Sequence, residues 1–584
     1  MSAQIMAVIF GVKRNIADLV MDCMTERLAS CTCLVFGTAW KKRKEESQVL
    51  QLKRSSIVNE AEAWKEIGVE LPQFDFNQVA ENTIEKPQWV HFGAGNIFRG
   101  FVAHAHQKLL NQGQAETGII AAKTYDFEMI DRLNKPYDNL TLLVTMKANG
   151  SFEKAVINSI VDTIAADFNR KDEFNRLVEI FENPSLQMVS FTITEKGYTL
   201  TDPSGQFIGM VEKDIENGLD QPVHAMSIVT ALAYRRYRKG QYPLTFVSMD
   251  NCSHNGDKLK AAVLTIATEW VKRGHVEEGL LAYLEDENKI AFPFTMIDKI
   301  TPRPSEKVKE ALLNQGIRGM DIIVTPKNTY TAPFVNAEVS EYLVIEDKFT
   351  NGRPALENAG IIFTDRKTVN KIETMKVTTC LNPLHTALAV SGCLLGYTLI
   401  ADEMKDETLR RFVEIIGYDE GLKVVVDPEI ISPKAFLDEV LNERFSNPYI
   451  PDTPQRIACD TSLKVGIRFG ETLKSYVKRD DLNPADLEAI PLTIAMWCRY
   501  LLGIDDKGES FTLSPDPQLE ILQAALEGVT LGDRTSNIKR ILSNQAIFGV
   551  DLYEIGLGEK IESMFYEMLA GTGAVRRALE KYCL

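Results

Sequence analysis

Cysteine is sparse in this chain. Nine are spread over 584 residues, an odd number at low density, which excludes a disulfide-built scaffold. Most have apolar neighbours, so reduced, buried thiols and a cytoplasmic address are expected. No apolar run approaches the ~18–20 residues of a membrane span. The short apolar stretches near the N-terminus, MAVIF and LASCTCLVF, are too brief for a signal core, and the second precedes the basic run at Lys41, the reverse of a secretory signal. Positive charge is also in deficit. The formal net charge is −16, which argues against nucleic acid or an anionic membrane as partner. A local basic pocket for a small anion stays compatible with that balance. Clustered metal ligands are missing too. Of seven histidines only His104 and His106 are close, and positions i and i+2 of a helix point apart. Cys31 and Cys33 lack a second pair, so no metal is expected. Internal repeats and low-complexity segments are absent as well.

What remains is ordinary globular composition at a length that implies two or three domains. Residues 1–84 read as an extension outside the main fold, helical in part, with no assigned role. The first fold signal is WVHFGAGNIFRGFVAHAHQKLL. An apolar run, Trp89 to Phe92, meets Gly93, Ala94 and Gly95, and a helix-compatible stretch follows through Asn96 and Ile97. Strand, glycine turn and helix open a dinucleotide-binding βαβ unit, although the usual third glycine is replaced and Arg99-Gly100 come later. Glycines let backbone approach a pyrophosphate, and the helix start supplies N–H groups. The motif alone is weak, because an ordinary βα turn looks the same. A second strand, GIIAAKTYD, brings Lys123 and Asp126 to its end. An acid there suits a ribose diol and a base tolerates a 2′-phosphate, so the two differ in sign; Asp126 is taken as the ribose partner and NAD as the cofactor.

Further strand-like runs (LTLLVTM, LQMVSFTITEKGY, YPLTFVSMDNCSHNGD, DIIVTP) alternate with helical stretches, which implies a mostly parallel sheet. From about residue 371 the pattern turns to helices by 3.6 periodicity. The expected fold class is therefore α/β: a Rossmann-type domain with a mostly parallel sheet over 85–370, then a mainly α-helical substrate and catalytic domain over 371–584. A cleft between the two is the expected site.

Polar residues gather at strand ends: Asp250, Asn251, His254 and Asn255 in SMDNCSHNGD, Asp298 in MIDKITP, and Glu195 in TITEKGY. Each alone is more simply a turn or cap; three clusters beside a glycine turn favour a shared cleft. The stretch KVTTCLNPLH adds Lys376, Asn382 and His385. Asn382 followed by Pro383 fits a helix N-cap and first position, with His385 in the first turn. Val-Thr-Thr is a poor helix start, which places Lys376 in extended chain ahead of the helix. Capping explains Asn382 but not Lys376. A lysine can take a hydroxyl proton where burial and a positive helix end disfavour its charged form, and an amide N–H can steady an alkoxide.

In order, GAGNIFRG, TITEKGY, MDNCSHNG, DKITP, KVTTCLNPLH and RIACDTSLK resemble the polyol-specific long-chain dehydrogenases, which include mannitol dehydrogenases and hexuronate reductases. The resemblance spans roughly residues 85–584. It implies a Rossmann-type domain before a helical one and a lysine as general acid/base. Lys376 takes that role. Asn251 and Asn382 are the implied pair polarising the carbonyl or alkoxide oxygen, His385 the substrate-orienting histidine, and Glu195 a carboxylate linked to proton movement. Asp298, Arg456 and Lys464 occupy implied substrate-contacting positions. The family spacing is K-x4-N-x2-H, and this chain has one more residue between Lys376 and Asn382, which a bulge could absorb. The implied activity is an NAD-dependent oxidoreductase acting on a small sugar acid or polyol. D-mannonate/D-fructuronate is favoured, mannitol/fructose or a tagaturonate-type reaction is the alternative, and a catalytically silent sugar- or nucleotide-binding regulator is the reading from another class.

Overall fold

The computed structural model describes residues 49–533 and 538–584. Six strands, β1 (Trp89–Phe92), β2 (Ile119–Lys123), β3 (Ile160–Ala165), β4 (Met188–Phe191), β5 (Leu244–Ser248) and β6 (Ile290–Ala291), form one sheet in the order β6-β5-β4-β1-β2-β3. Every neighbouring pair is parallel. That is the order of a doubly wound dinucleotide-binding sheet, with its switch point between β1 and β4. The central strands are buried on both faces, which explains their near-continuous apolar character. Their polar exceptions satisfy one another. His91 Nδ1 and Trp89 Nε1 both lie 2.7 Å from Ser190 Oγ, across the β1–β4 register that sets His91 opposite Ser190.

The turn after β1 demands glycine. Gly93 has φ 107°, and an added Cβ would fall on the Thr192 carbonyl oxygen. The helix then begins at Asn96, passes through a π-turn at Phe98–Val102 and continues as α1 (Ala103–Asn111). Gly100, inside the π-turn, performs the close helix–sheet packing of the missing third glycine: a Cβ there would collide with the Val335 side chain.

The extension expected outside the fold is, from Leu50 onward, part of it. Leu50–Gln51 pairs with Ile317–Arg318, and Val69–Glu70 joins a second sheet through Phe152–Ile157. Trp64 is fully buried in an apolar cluster with Leu142, Val144 and Val156. The reason is that the second sheet, which also holds Thr141–Met146 and Phe334–Ala337, has an apolar face that this segment covers. Residues 1–48, with Cys23, Cys31 and Cys33, lie outside the described residues.

A third, three-stranded sheet carries β7 (Thr295–Asp298), antiparallel to Tyr342–Glu346. After the last strand, Ile362–Thr364, the chain is helical. Here α2 (Arg366–Met375), α3 (Asn382–Leu395) and α4 (Ala489–Tyr500) form the centre of a second core. The last two helices, Gly558–Met568 and Ala574–Cys583, are parted by Gly571 and Gly573 at φ 119° and 72°. The six described cysteines are free. Among the described residues no helix is long and apolar enough to cross a membrane.

Candidate active site

Lys376 is not in extended chain. It continues α2 with φ −63° and ψ −49° and opens a π-turn, Lys376–Cys380. The Leu381 N–H closes this turn on the Lys376 carbonyl at 3.1 Å, an i→i+5 bond. A π-turn houses one residue more than an α-turn, so the extra residue before Asn382 is absorbed in helical rather than extended chain. The tertiary setting overrides the poor helix propensity of Val377-Thr378-Thr379, and Thr378 Oγ1 returns to the Thr374 carbonyl at 2.8 Å.

Leu381 breaks the helix (φ −131°, ψ −63°) and α3 restarts at once. Leu381 is the N-cap, without a side-chain cap bond; Asn382 is the first helical residue and Pro383 the second. The expected register was one residue late, and the Asn382 side chain is not the cap. It makes no hydrogen bond with any described residue and stands at the first turn of α3, with His385 on the same turn.

Lys376 Nζ is buried between three partners from the Rossmann side: Asp298 Oδ1 at 3.2 Å, the Ile297 carbonyl at 3.3 Å and Asn251 Oδ1 at 3.4 Å. Asp298 ends β7. Asn251 follows β5, whose own end is stapled: Asp250 accepts the N–H groups of Ile193 and Thr194 at 3.0 and 2.8 Å and the Tyr198 hydroxyl at 2.6 Å. Asn255 ties the same loop to Thr295, at the start of β7. The strand-end residues thus divide, with Asp250 and Asn255 building the scaffold and Asn251 and Asp298 facing the lysine.

Asp298 has a second partner. Arg444 Nη1 donates to its Oδ2 at 2.9 Å, and Arg444 grips Glu338 with Nε and Nη2, both at 2.9 Å. All four side chains are nearly sealed from solvent. Burial pushes the Asp298 carboxyl up, but Lys376 and Arg444 outweigh it and hold it below the ordinary carboxylate range. Burial leaves Glu338 above that range, with Arg444 opposing. Arg444 and Glu338 escaped the sequence reading. Glu338 carried the same signal as Asp298, a carboxylate just past a strand. Arg444 lies in PKAFLDEVLNERF, where a charge at helical spacing reads as a solvated face.

His385 Nε2 lies 3.2 Å from Asp452 Oδ2, and its ring packs on Phe445. Burial depresses its imidazole and Asp452 opposes this. Arg456 is largely exposed and pairs with Asp452; Lys464 donates to the Cys459 carbonyl. Arg456 therefore stands on the His385 side. Glu195 lies apart from Lys376, exposed on a short 3-10 turn and paired with Lys258. At the glycine turn, Gly95 opens onto free space, whereas Asn96 is engaged with Arg99 Nη2 at 2.9 Å and the Pro302 carbonyl at 3.3 Å. Ala94 is buried and Ile97 half-buried beside them. Asp126, past the end of β2, has φ 53°, and one of its carboxylate oxygens accepts the Thr325 hydroxyl at 2.7 Å. Among the described residues no group of three or more potential ligands could hold a metal ion.

Residues 87–358 match the mannitol dehydrogenase Rossmann domain model, and residues 368–569 match the mannitol dehydrogenase C-terminal domain model. The chain belongs to the mannitol dehydrogenase family. Within that family it is similar to the D-mannonate oxidoreductase of Thermotoga maritima, 54% identical over 91% of this chain and 99% of that protein. Similarity to the mannitol 2-dehydrogenase of Emericella nidulans is lower, 29% over 79% and 86% of the two chains. Among solved structures, substrate-free D-sorbitol dehydrogenase superposes with a TM-score of 0.73 at 25% identity, covering 88% of this chain and 97% of that one. The ternary complex of Pseudomonas fluorescens mannitol 2-dehydrogenase with NAD and D-mannitol superposes with a TM-score of 0.64 at 25% identity, covering 91% and 99%. The family's two-domain order is the order seen here, and the short unmatched gap, 359–367, contains the junction between the last strand and α2.

Proposed function

We propose that this member of the family is an NAD-dependent oxidoreductase interconverting D-mannonate and its keto acid, D-fructuronate, with Lys376 as general acid/base. The observation that carries the mechanism is the burial of Lys376 Nζ against Asp298 and Asn251, on the π-turn that leads into Asn382. The 54% identical relative named D-mannonate oxidoreductase supports the substrate. The mannitol 2-dehydrogenases at 29–31% identity support mannitol/fructose as the second reading.

A dinucleotide fits the residues present. The glycine turn is held by the Gly93–Thr192 approach, and the space above Gly95 is open. Gly93, Ala94, Gly95, Asn96 and Ile97 would cradle the pyrophosphate, and the second oxygen of Asp126 would take the ribose diol while Thr325 holds the first. NAD, when bound, supplies the hydride acceptor. Lys376 takes the hydroxyl proton of the substrate, and Asp298 steadies the resulting ammonium. Because Asn251 Oδ1 faces Lys376, its amide N–H groups point away, and with those of Asn382 they can donate to the developing alkoxide. His385, held against Asp452, orients the neighbouring hydroxyl; Arg456 and Lys464 bear on the rest of the chain, and Glu195 with Lys258 stands on the solvent side as an outlet for the proton. The free, mostly buried thiols support a cytoplasmic setting.

Lys376→Ala tests this. General acid–base catalysis contributes ~10²–10⁴-fold, so kcat for D-mannonate should fall by that order while NADH binding, followed by fluorescence, stays intact. A variant with near-normal kcat would sink the assignment.

A further inference from the structure

The cations of the site are unequally provided for. Lys376 and Arg444 share Asp298, and Arg456 has Asp452. Arg468 has no carboxylate partner among the described residues. Its one side-chain hydrogen bond among the described residues goes from Nη1 to the Oγ1 of Thr386, the residue after His385. None of its nitrogens is both buried and unpartnered, so its remaining N–H groups keep some exposure. Lys464, which feels the Arg468 charge, makes its hydrogen bond to the Cys459 carbonyl, with Asp460 and Asp516 acting on it only from a distance. A partly buried guanidinium without a carboxylate, beside a second cation, is an arrangement that favours a bound anion. Burial pushes the Arg468 guanidinium down to about 10, and no carboxylate opposes this.

The position of Arg468 is fixed, and it is on the reacting side. It lies in a π-turn, Gly466–Gly470, that packs against the Lys376 π-turn. Gly466 and Gly470 let this turn seat directly on the backbone of Ile547 and Phe548, where any Cβ would collide. Thr386, its hydrogen-bond partner, lies one helical turn beyond Asn382, and Thr386 Oγ1 itself returns to the Asn382 carbonyl at 3.0 Å. The guanidinium therefore stands about one turn, ~5.4 Å along α3, from Asn382, whose amide the reading above assigns to the reacting oxygen. A carboxylate several carbons from the reacting carbonyl of an open-chain sugar acid would meet it there.

We propose that Arg468 is a specificity-determining residue that binds the carboxylate of the substrate in this family member, with Lys464 as a second cation. This rests on the sugar-acid reading above. Arg456, spent on Asp452 and mostly exposed, is left to the hydroxylated chain.

The test compares D-mannonate with its neutral amide, D-mannonamide, in the full-length enzyme with NAD. Wild type should favour mannonate in kcat/KM by about 10²-fold, the scale of a charge-assisted hydrogen-bonded pair. In Arg468→Met that preference should collapse to within a few-fold, mainly through KM, with NADH binding unchanged. Arg468→Lys should recover part of it, because it keeps the charge without the planar fork. Equal losses on acid and amide in either variant, or an undiminished preference, would overturn the assignment of Arg468 and leave the substrate reading standing. Wild type inactive on mannonate would refute the substrate reading itself. If Arg468→Met fails to fold, the Lys variant alone decides between these outcomes.

Discussion

Asn382 shows how far a single residue can be read without coordinates. Asn-Pro before an apolar run announced a helix start, and α3 begins there. The cap, however, is Leu381, so Asn382 is left with a side chain that no described residue uses. The expectation for Asn382→Asp follows. No cap is lost, so the melting temperature should stay near wild type. An anion would replace an amide donor at the alkoxide, so kcat should drop by at least the ~10²–10³-fold of a lost oxyanion donor. Full activity in this variant would return Asn382 to a structural role. Glu403 is the opposite kind of residue. It is fully buried against Gly392, and neither oxygen has a hydrogen-bond partner. Burial, reinforced by Asp406, holds its carboxyl well above the ordinary range. A raised folded-state value means that its contribution is intact below the ordinary carboxylate range and is lost as pH rises toward the folded value. Glu403→Met should therefore flatten the decline of stability with rising pH and add about 1–3 kcal/mol near neutrality, measured by denaturant titration at several pH values. An unchanged or lower midpoint would show that the carboxyl is satisfied.

At the scale of elements, the glycine turn and the alternation of strands and helices were legible because they are local: glycine at positive φ, apolar runs of strand length, a 3.6 periodicity. The handedness and connection rules for βαβ units narrow the strand orders such an alternation can take, and the observed order is one of them. The two π-turns that place Lys376 and Arg468 were not legible. An i→i+5 turn has no composition of its own, and here it is imposed by packing between the turns. The β-branched run at Val377 pointed to extended chain, and tertiary contacts won. Deletion of Thr378 tests what the Lys376 π-turn does. It restores the K-x4-N spacing, and the turn can close as i→i+4 with Lys376 in place. The variant is expected to fold and to keep kcat within about tenfold, since no catalytic group is removed. A loss as deep as that of Lys376→Ala would mean that the π geometry itself aims the amine.

At the scale of the molecule, the segment before the family domains was misjudged because its contacts are remote in sequence. Nothing local tells that Val69–Glu70 pairs beyond residue 150, or that Trp64 fills the core under that sheet. A chain starting at Lys86 should expose this apolar cluster. Full burial of one large side chain is worth ~1.5–3 kcal/mol, and Leu50, Leu52, Ile57, Trp64 and Val69 would all go, so the truncated chain should be insoluble or melt far lower. A truncation with a wild-type melting curve would place the segment outside the fold after all. The buried quartet has a wider reach. Arg444 comes from the helical half, whereas Asp298 and Glu338 come from the sheet-bearing half. Should one half melt first, the other would keep two carboxyl groups without their cations, or a guanidinium with nothing to bind. Such half-molten species are driven up in energy. Calorimetry would then record one endotherm in place of two, with agreement between the calorimetric and van't Hoff enthalpies. In Arg444→Met, which cuts this tie, that single peak would divide.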